Sequence, residues 1–305
     1  MRILASDGME KSAIAKLIEQ GNEVVVPEST PTVDELNQLV KEFDVLVVRS
    51  ATKVRVPTID SAAEAGRLKL IIRGGVGIDN IDHEYAKTKG IEVKNTPRAS
   101  SDAVAEFALA HMLACARFVS AAGHSMRENK WEKKAYAKGI ELGGKTLGVV
   151  GYGRIGQSLG RKAQALGMKV LAYDIFHVDG LENENMKYVE MDELLANSDF
   201  ISLHVPSLPG QPLVNAETIA KMKDGVNIIN TSRGTNIDEA ALLEALNSGK
   251  VRAAGLDVWA EEPSKNEALY SHPMVSCTPH IGASTVEAQK RIGAEIVDII
   301  GKFFA

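Results

Sequence analysis

Four side chains in the second half of the chain, Arg233, Asp257, Glu262 and His280, are of the types that move a proton and hold an anion. His280 stands in Thr278-Pro279-His280-Ile281-Gly282, Glu262 in the acidic turn Glu261-Glu262-Pro263, and Arg233 in Asn230-Thr231-Ser232-Arg233-Gly234. An imidazole is a general base near neutral pH, and a carboxylate beside it favours its charged form. A guanidinium grips a carboxylate through two parallel hydrogen bonds, a task lysine does less well. Such a set suits oxidation of an alcohol beside a carboxylate, or the reverse, once a hydride carrier is at hand. Singly, each residue has a plainer reading. Arg233 and Asp257 can form a structural pair, and Glu261-Glu262 can be a solvated turn. Most lone histidines are neither catalytic nor ligands, and His83, His111, His124, His177, His204 and His272 stand in no comparable constellation.

The hydride carrier has its own signature. The apolar run Thr146–Val150 leads directly into Gly151-Tyr152-Gly153-Arg154-Ile155-Gly156, and a helical pattern follows. The next strand pattern ends at Asp174, eighteen residues beyond Gly156. In a strand–turn–helix, Gly151 permits the tight turn, Gly153 lets backbone approach a pyrophosphate, and Gly156 lets helix pack on strand. Free N–H groups at the helix start, including those of Arg154 and Ile155, then face the phosphates. Asp174 accepts hydrogen bonds from the ribose hydroxyls and repels a 2′-phosphate, and Ile175-Phe176 follows it rather than a cation. NAD is therefore expected, not NADP. A second cluster, Gly74-Gly75-Val76-Gly77, has Asn80 where a third glycine would fall, and reads as a backbone-exposing turn.

Strand and helix patterns alternate almost throughout, which predicts parallel sheets covered on both faces. Strands are expected at Arg2–Ala5, 23–26, 44–48, Leu70–Arg73 and 92–94, with helices at 11–20, 33–41 and 81–89. A long helix over 101–124 and a loop over 131–144 lead to a second alternation. Its strands are Thr146–Val150, Lys169–Tyr173, Phe200–Leu203, Val226–Asn230 and 253–256, its helices 154–166, Met191–Asn197, 216–222 and 238–248. The closing helix is 285–304. The fold class is α/β, with two doubly wound parallel-sheet domains.

Composition narrows the function classes. The chain of 305 residues, 45% hydrophobic and 25% charged, has room for two cores. A net charge of −5 argues against a nucleic-acid surface. Two cysteines, Cys115 and Cys277, form no metal-ligand spacing and no disulfide framework, so no metal is expected. Neither a signal peptide nor an apolar run of spanning length is read, so no membrane partner is expected and the cytoplasm is the default location.

Taken together, Thr231-Ser232-Arg233-Gly234, Gly255-Leu256-Asp257-Val258, Glu261-Glu262-Pro263 and Thr278–Gly282, all downstream of Gly151–Gly156, resemble the D-isomer-specific 2-hydroxyacid dehydrogenases over essentially the whole chain. The resemblance implies that His280 is the general acid/base, that Glu262 hydrogen-bonds it and stabilises the imidazolium, and that Arg233 holds the substrate carboxylate. It also implies that NAD is lined by Val76, His204, Val205, Pro206, Thr231, Ser232, Arg233, Asp257, His280, Gly282 and Ala283, with Asp257 at the nicotinamide end. A split architecture follows: a Rossmann cofactor domain over 99–283, inserted into a flavodoxin-like substrate domain of 1–98 and 284–305.

The first half is similar to the D-3-phosphoglycerate-oxidising members in Val47–Val54 and 72–82. There the Gly74–Gly77 turn offers backbone N–H groups to the substrate carboxylate, with Val76 against the nicotinamide, and Arg49, Ser50, Lys53 and Arg73 form a basic wall for a phosphate. NAD-dependent oxidation of D-3-phosphoglycerate, the first step of serine synthesis, is the leading expectation. Hydroxypyruvate, glyoxylate or another 2-keto acid is the alternative, and an NAD-sensing regulatory protein on the same fold is a third. The family also implies a homodimer in which the loop Lys130-Trp131-Glu132-Lys133-Lys134 reaches the partner; some members carry arginine where Lys133 stands. The end at Ala305 leaves no expected C-terminal regulatory domain.

Overall fold

The computed structural model describes residues 1–207 and 210–305. They form two compact units, Met1–Ser101 with Ala283–Ala305, and Asp102–Gly282.

The first unit holds five parallel strands, β1 (Arg2–Ala5), β2 (Glu23–Val25), β3 (Val45–Val48), β4 (Leu70–Arg73) and β5 (Glu92–Asn95), in the order β2-β1-β3-β4-β5. Side chains alternate across a strand, so one run of β3 feeds two cores. Leu46 and Val48 pack with Leu36, Ile59 and Ile71 on one face; Val45 and Val47 pack with Leu17, Ile72, Ile292 and Ile296 on the other. That second face is how the chain's end returns to this unit. The helix Val286–Phe304 starts where the Thr285 hydroxyl accepts from the Ala288 N–H at 3.0 Å, and lays its apolar stripe there. Each fully buried Val, Leu or Ile contributes roughly 1.5–3 kcal/mol, whereas a surface pair such as Arg2–Glu23 is screened by solvent and adds little. Core burial therefore decides this unit's stability.

The order of the strands reverses between β1 and β3, and the open side of such a switch is where ligands bind in α/β sheets. Asp7, just past β1, spans it. Its carboxylate accepts from the Arg49 N–H at 2.6 Å, the Thr52 N–H at 3.0 Å and the Thr52 hydroxyl at 2.6 Å.

The second unit holds β6 (Thr146–Val150), β7 (Lys169–Tyr173), β8 (Met186–Tyr188), β9 (Phe200–Leu203), β10 (Val226–Asn230), β11 (Val251–Leu256) and β12 (Val275–Cys277), all parallel, in the order β12-β11-β10-β9-β6-β7-β8. Its switch lies between β6 and β9, above the glycine turn.

Three differences from expectation have physical causes. The helix over 101–124 is two helices, Ser101–Arg117 and Val119–Arg127, bent by 68° at Phe118, whose φ is +57°. Arg252 makes the break: its guanidinium donates to the Cys115 and Ala116 carbonyls that end the first helix, and lies over the Phe118 ring at 4.7 Å. Strands β8 and β12 are three residues each, too short for a periodic signal. The helix Val56–Ala65 was also unread; proline occupies its first turn and Gly66 ends it at φ +69°. No single helix among the described residues is long and apolar enough to cross a membrane.

Candidate active site

At the β6–β9 switch the glycine turn is built for close approach. Gly151 has φ +91°, and a Cβ there would lie 2.7 Å from the His204 carbonyl oxygen. A Cβ on Gly156 would meet the Gly151 carbonyl oxygen at 2.3 Å, whereas nothing lies within 4 Å of one on Gly153. The middle glycine therefore leaves open space in front of the helix Arg154–Ala165, where Gly153 and Arg154 are exposed. Asp174 closes the turn: Oδ2 accepts from the Tyr152 N–H at 2.7 Å and Oδ1 from the Phe176 N–H at 3.1 Å. A carboxylate has about four lone-pair sites, so each oxygen retains capacity for a ribose hydroxyl. The buried Thr231 hydroxyl has no hydrogen-bond partner among the described residues, as a group awaiting a ligand has none. These features fit a dinucleotide. Beside the turn, His204 donates its N–H to Val150 O at 2.8 Å, and its Nε2 meets the Ser202 hydroxyl at 2.8 Å. Burial pushes its imidazole down to about 4. The Val205 carbonyl is tied to the Asn236 amide at 3.1 Å; Pro206 follows at the same strand end.

Farther along the same edge, β10 ends in a cinched turn. Asn230 Oδ1 accepts from the Ser232 N–H and hydroxyl, and its Nδ2 donates to the Arg233 carbonyl at 2.8 Å. Arg233 Nη1 donates to the Ser232 carbonyl at 2.6 Å. Gly234 must lack a side chain, because a Cβ would lie 1.9 Å from the Trp259 backbone. His280 Nδ1 meets Glu262 Oε2 at 2.8 Å, and the Trp259 N–H donates to Glu262 Oε1 at 3.2 Å. Burial pushes the Glu262 carboxyl up, but the His280 hydrogen bond and charge, the Trp259 N–H and the Arg233 charge outweigh it, leaving the carboxyl below its usual range. Glu262, His280 and the Arg233 charge are thus brought together.

Asp257, expected at the nicotinamide end, is 1% exposed and has a structural task. Its carboxylate accepts from the Thr278 hydroxyl at 2.7 Å and from the Ile281 and Gly282 N–H groups at 2.8 Å each, while its carbonyl accepts from the His280 N–H at 2.8 Å. It holds the turn on which His280 rides.

The first unit carries Arg49, Ser50, Lys53, Arg73, Gly74, Gly75 and Val76; Ala283 opens its second segment. Val48 and Arg73 are in register on β3 and β4, so Arg49 and Arg73 share one sheet edge. Asn80 Nδ2 donates to the carbonyls of Arg49 and Thr52 at 2.7 Å each, tying both loops together. Ser50 and Lys53 are exposed. The Gly74-Gly75 amides correct an expectation: Gly74 N–H donates to Val48 O and Gly75 N–H to Arg73 O, both at 2.9 Å. The N–H groups this turn can offer are those of Val76 and Gly77. Gly75, at φ +149°, also makes room for the Arg73 guanidinium, which a Cβ would strike. Asp7 was missed because a carboxylate after a strand carries no motif.

The geometry has known counterparts. Residues 109–282 match the D-isomer-specific 2-hydroxyacid dehydrogenase NAD-binding domain. A hydroxypyruvate reductase from Thermotoga maritima is 51% identical, over 99% of this chain and 97% of that protein. A D-3-phosphoglycerate dehydrogenase from Methanocaldococcus jannaschii is 46% identical over 99% of this chain, which spans 57% of that protein's length. Among solved structures, a D-lactate dehydrogenase from Aquifex aeolicus complexed with NAD and lactic acid superposes with a TM-score of 0.86 at 31% identity, over all of this chain and 95% of that one. The chain belongs to the D-isomer-specific 2-hydroxyacid dehydrogenases, NAD-dependent oxidoreductases of this α/β fold.

Proposed function

We propose that the protein interconverts D-3-phosphoglycerate and 3-phosphohydroxypyruvate, the entry to serine synthesis. One observation carries the choice of substrate: Arg49, on a loop held by Asp7 and Asn80 at the switch of the first unit, and Arg73, the last residue of β4, stand at the same end of adjoining strands. A phosphate with close to two negative charges calls for such cations. In this reading Arg233 holds the substrate carboxylate. His280 donates its Nδ1–H to Glu262, leaving Nε2 to accept the C2 hydroxyl proton during oxidation and return it during reduction. Bound NAD supplies the hydride acceptor. Asp174 selects NAD by accepting from the ribose hydroxyls.

A second reading, reduction of hydroxypyruvate to D-glycerate, is favoured by the full-length match to the Thermotoga maritima reductase. The two differ only in the group on C3. Initial rates of NADH oxidation with 3-phosphohydroxypyruvate, hydroxypyruvate and glyoxylate separate them. A kcat/KM highest for the phosphorylated acid supports the first reading; one highest for hydroxypyruvate replaces it with the second.

A further inference from the structure

In the second unit, a row of buried polar side chains runs from the helix Ser101–Arg117 to the His280 turn. His111, 3% exposed, meets the Ser276 hydroxyl with Nδ1 and the Thr278 hydroxyl with Nε2, both at 3.1 Å. Ser276 meets the Ser120 hydroxyl at 3.0 Å, and Thr278 donates to Asp257 Oδ1 at 2.7 Å. The hydrogen positions follow from counting. A hydroxyl has one hydrogen; Thr278 gives its own to Asp257, so it must accept from His111 Nε2–H. A neutral His111 then accepts at Nδ1 from Ser276, which in turn accepts from Ser120. Burial lowers the His111 imidazole pKa, against the pull of the Asp257 charge, which favours that neutral ring. Every polar atom in the row has a partner, and all the donors point toward one carboxylate.

That carboxylate holds the N–H groups of the two residues that follow His280, Ile281 and Gly282. Between them and Pro279, His280 has φ +55°, a left-handed conformation that a non-glycine residue adopts only when its surroundings impose it. The space for His111 is also shaped: a Cβ on Gly255 would lie 2.6 Å from the His111 Cβ.

We propose that His111 is a positioning residue for the dehydrogenase: through Thr278 and Asp257 it fixes the left-handed turn that presents His280 to the substrate. This rests on the reading of His280 as the acid/base, so His280→Ala is the reference variant. The assay is steady-state NADH oxidation with the better of hydroxypyruvate and 3-phosphohydroxypyruvate, alongside NADH binding by fluorescence. His111→Leu fills the space but makes no hydrogen bond; it should lower kcat by about tenfold or more, as a displaced catalytic group does. KM and NADH affinity should stay within about twofold. His111→Gln, which keeps a donor toward Thr278, should recover most of the loss. Thr278→Val should lose as much as His111→Leu, and the double variant no more than either. In ¹⁵N spectra, His111 should carry its proton on Nε2.

A folded His111→Leu with unchanged kcat overturns the proposal, as do losses that multiply in the double variant or a proton on Nδ1 alone. Should His111→Leu fail to bind NADH, His111→Gln and Thr278→Val decide by the same kcat comparison. Normal turnover by His280→Ala removes the acid/base reading itself, whatever His111→Leu does.

Discussion

Oδ2 of Asp174 accepts the N–H of Tyr152 at 2.7 Å, so the carboxylate proposed to read the ribose also holds the middle of the glycine turn. The two tasks share one side chain but not one lone pair. That coupling makes the residue's replacement more costly than the loss of a ribose contact alone.

Asp174→Ala should therefore weaken NADH binding by more than the roughly tenfold expected from one charged hydrogen bond of about 1.5 kcal/mol. It should also narrow the preference for NADH over NADPH, because the repulsion of a 2′-phosphate is gone. Fluorescence titrations with both cofactors measure the two effects together. Equal catalytic efficiency with NADH and NADPH in the unaltered protein would show that Asp174 does not discriminate.

The His280–Glu262 pair at 2.8 Å sets a second expectation. His280→Ala should bind NADH nearly as the parent does, while turnover falls roughly 10²–10⁴-fold. Glu262→Gln keeps a hydrogen-bonding group but not the charge, and should fall between the two. Single-turnover rates at saturating NADH and 2-oxo acid report the chemical step. Parent-like turnover in His280→Ala would require another base.

How much of this was legible beforehand differed by residue. The glycine turn and Asp174 were readable because each glycine answers a local steric demand, a tight turn or a close helix, and local demands leave a mark at fixed spacing. The Arg233, Glu262 and His280 set was readable as side-chain types on strand ends, each with its own short motif. His111 was not: its meaning lies in Ser276 and Thr278, more than 160 positions away, and on its own helix it resembles any satisfied core histidine. Asp7 escaped for the same reason, its partners Arg49 and Thr52 lying on another strand's loop. The break at Phe118 was hidden because Arg252, on β11, imposes it through helix-end carbonyls.

His204 gives a pH prediction whose sign is fixed. Its imidazole titrates at about 4 in the folded protein and at roughly 6.5 in an unfolded chain. As pH falls from roughly 6.5 toward 4, the unfolded chain takes a proton that the folded protein refuses, so stability declines across that window and is complete above it. The residue as a whole is only part-buried, so the full shift is discounted to on the order of 1–3 kcal/mol. His204→Gln cannot charge, and its melting temperature should fall less between pH 6.5 and 4.5 than the parent's, on the order of a few degrees less. Calorimetry of both proteins across that range checks it; parallel curves would mean that His204 titrates normally.

Substrate choice is the boldest expectation, because it depends on cations that have no catalytic task. In the proposed scheme Arg233 is committed to the carboxylate, and Arg49 and Arg73 meet the phosphate from adjoining strand ends. Losing one charged hydrogen bond of this kind costs about 1.5–3 kcal/mol, or roughly ten- to hundredfold, expressed mainly as a raised KM. Arg49→Ala leaves the Asp7 clamp in place, since Asp7 holds the backbone of residue 49 rather than its side chain. Arg73→Ala removes a guanidinium that lies against Gly75, so its effect on the turn must be separated from its effect on the phosphate. The ratio of kcat/KM for 3-phosphohydroxypyruvate to that for hydroxypyruvate makes the separation within each variant. A disturbed turn lowers both efficiencies and leaves the ratio, whereas a lost phosphate contact lowers the ratio itself. The ratio should fall in both variants while NADH affinity holds. If it is unchanged in both, the basic edge does not face a phosphate, and hydroxypyruvate becomes the substrate to pursue.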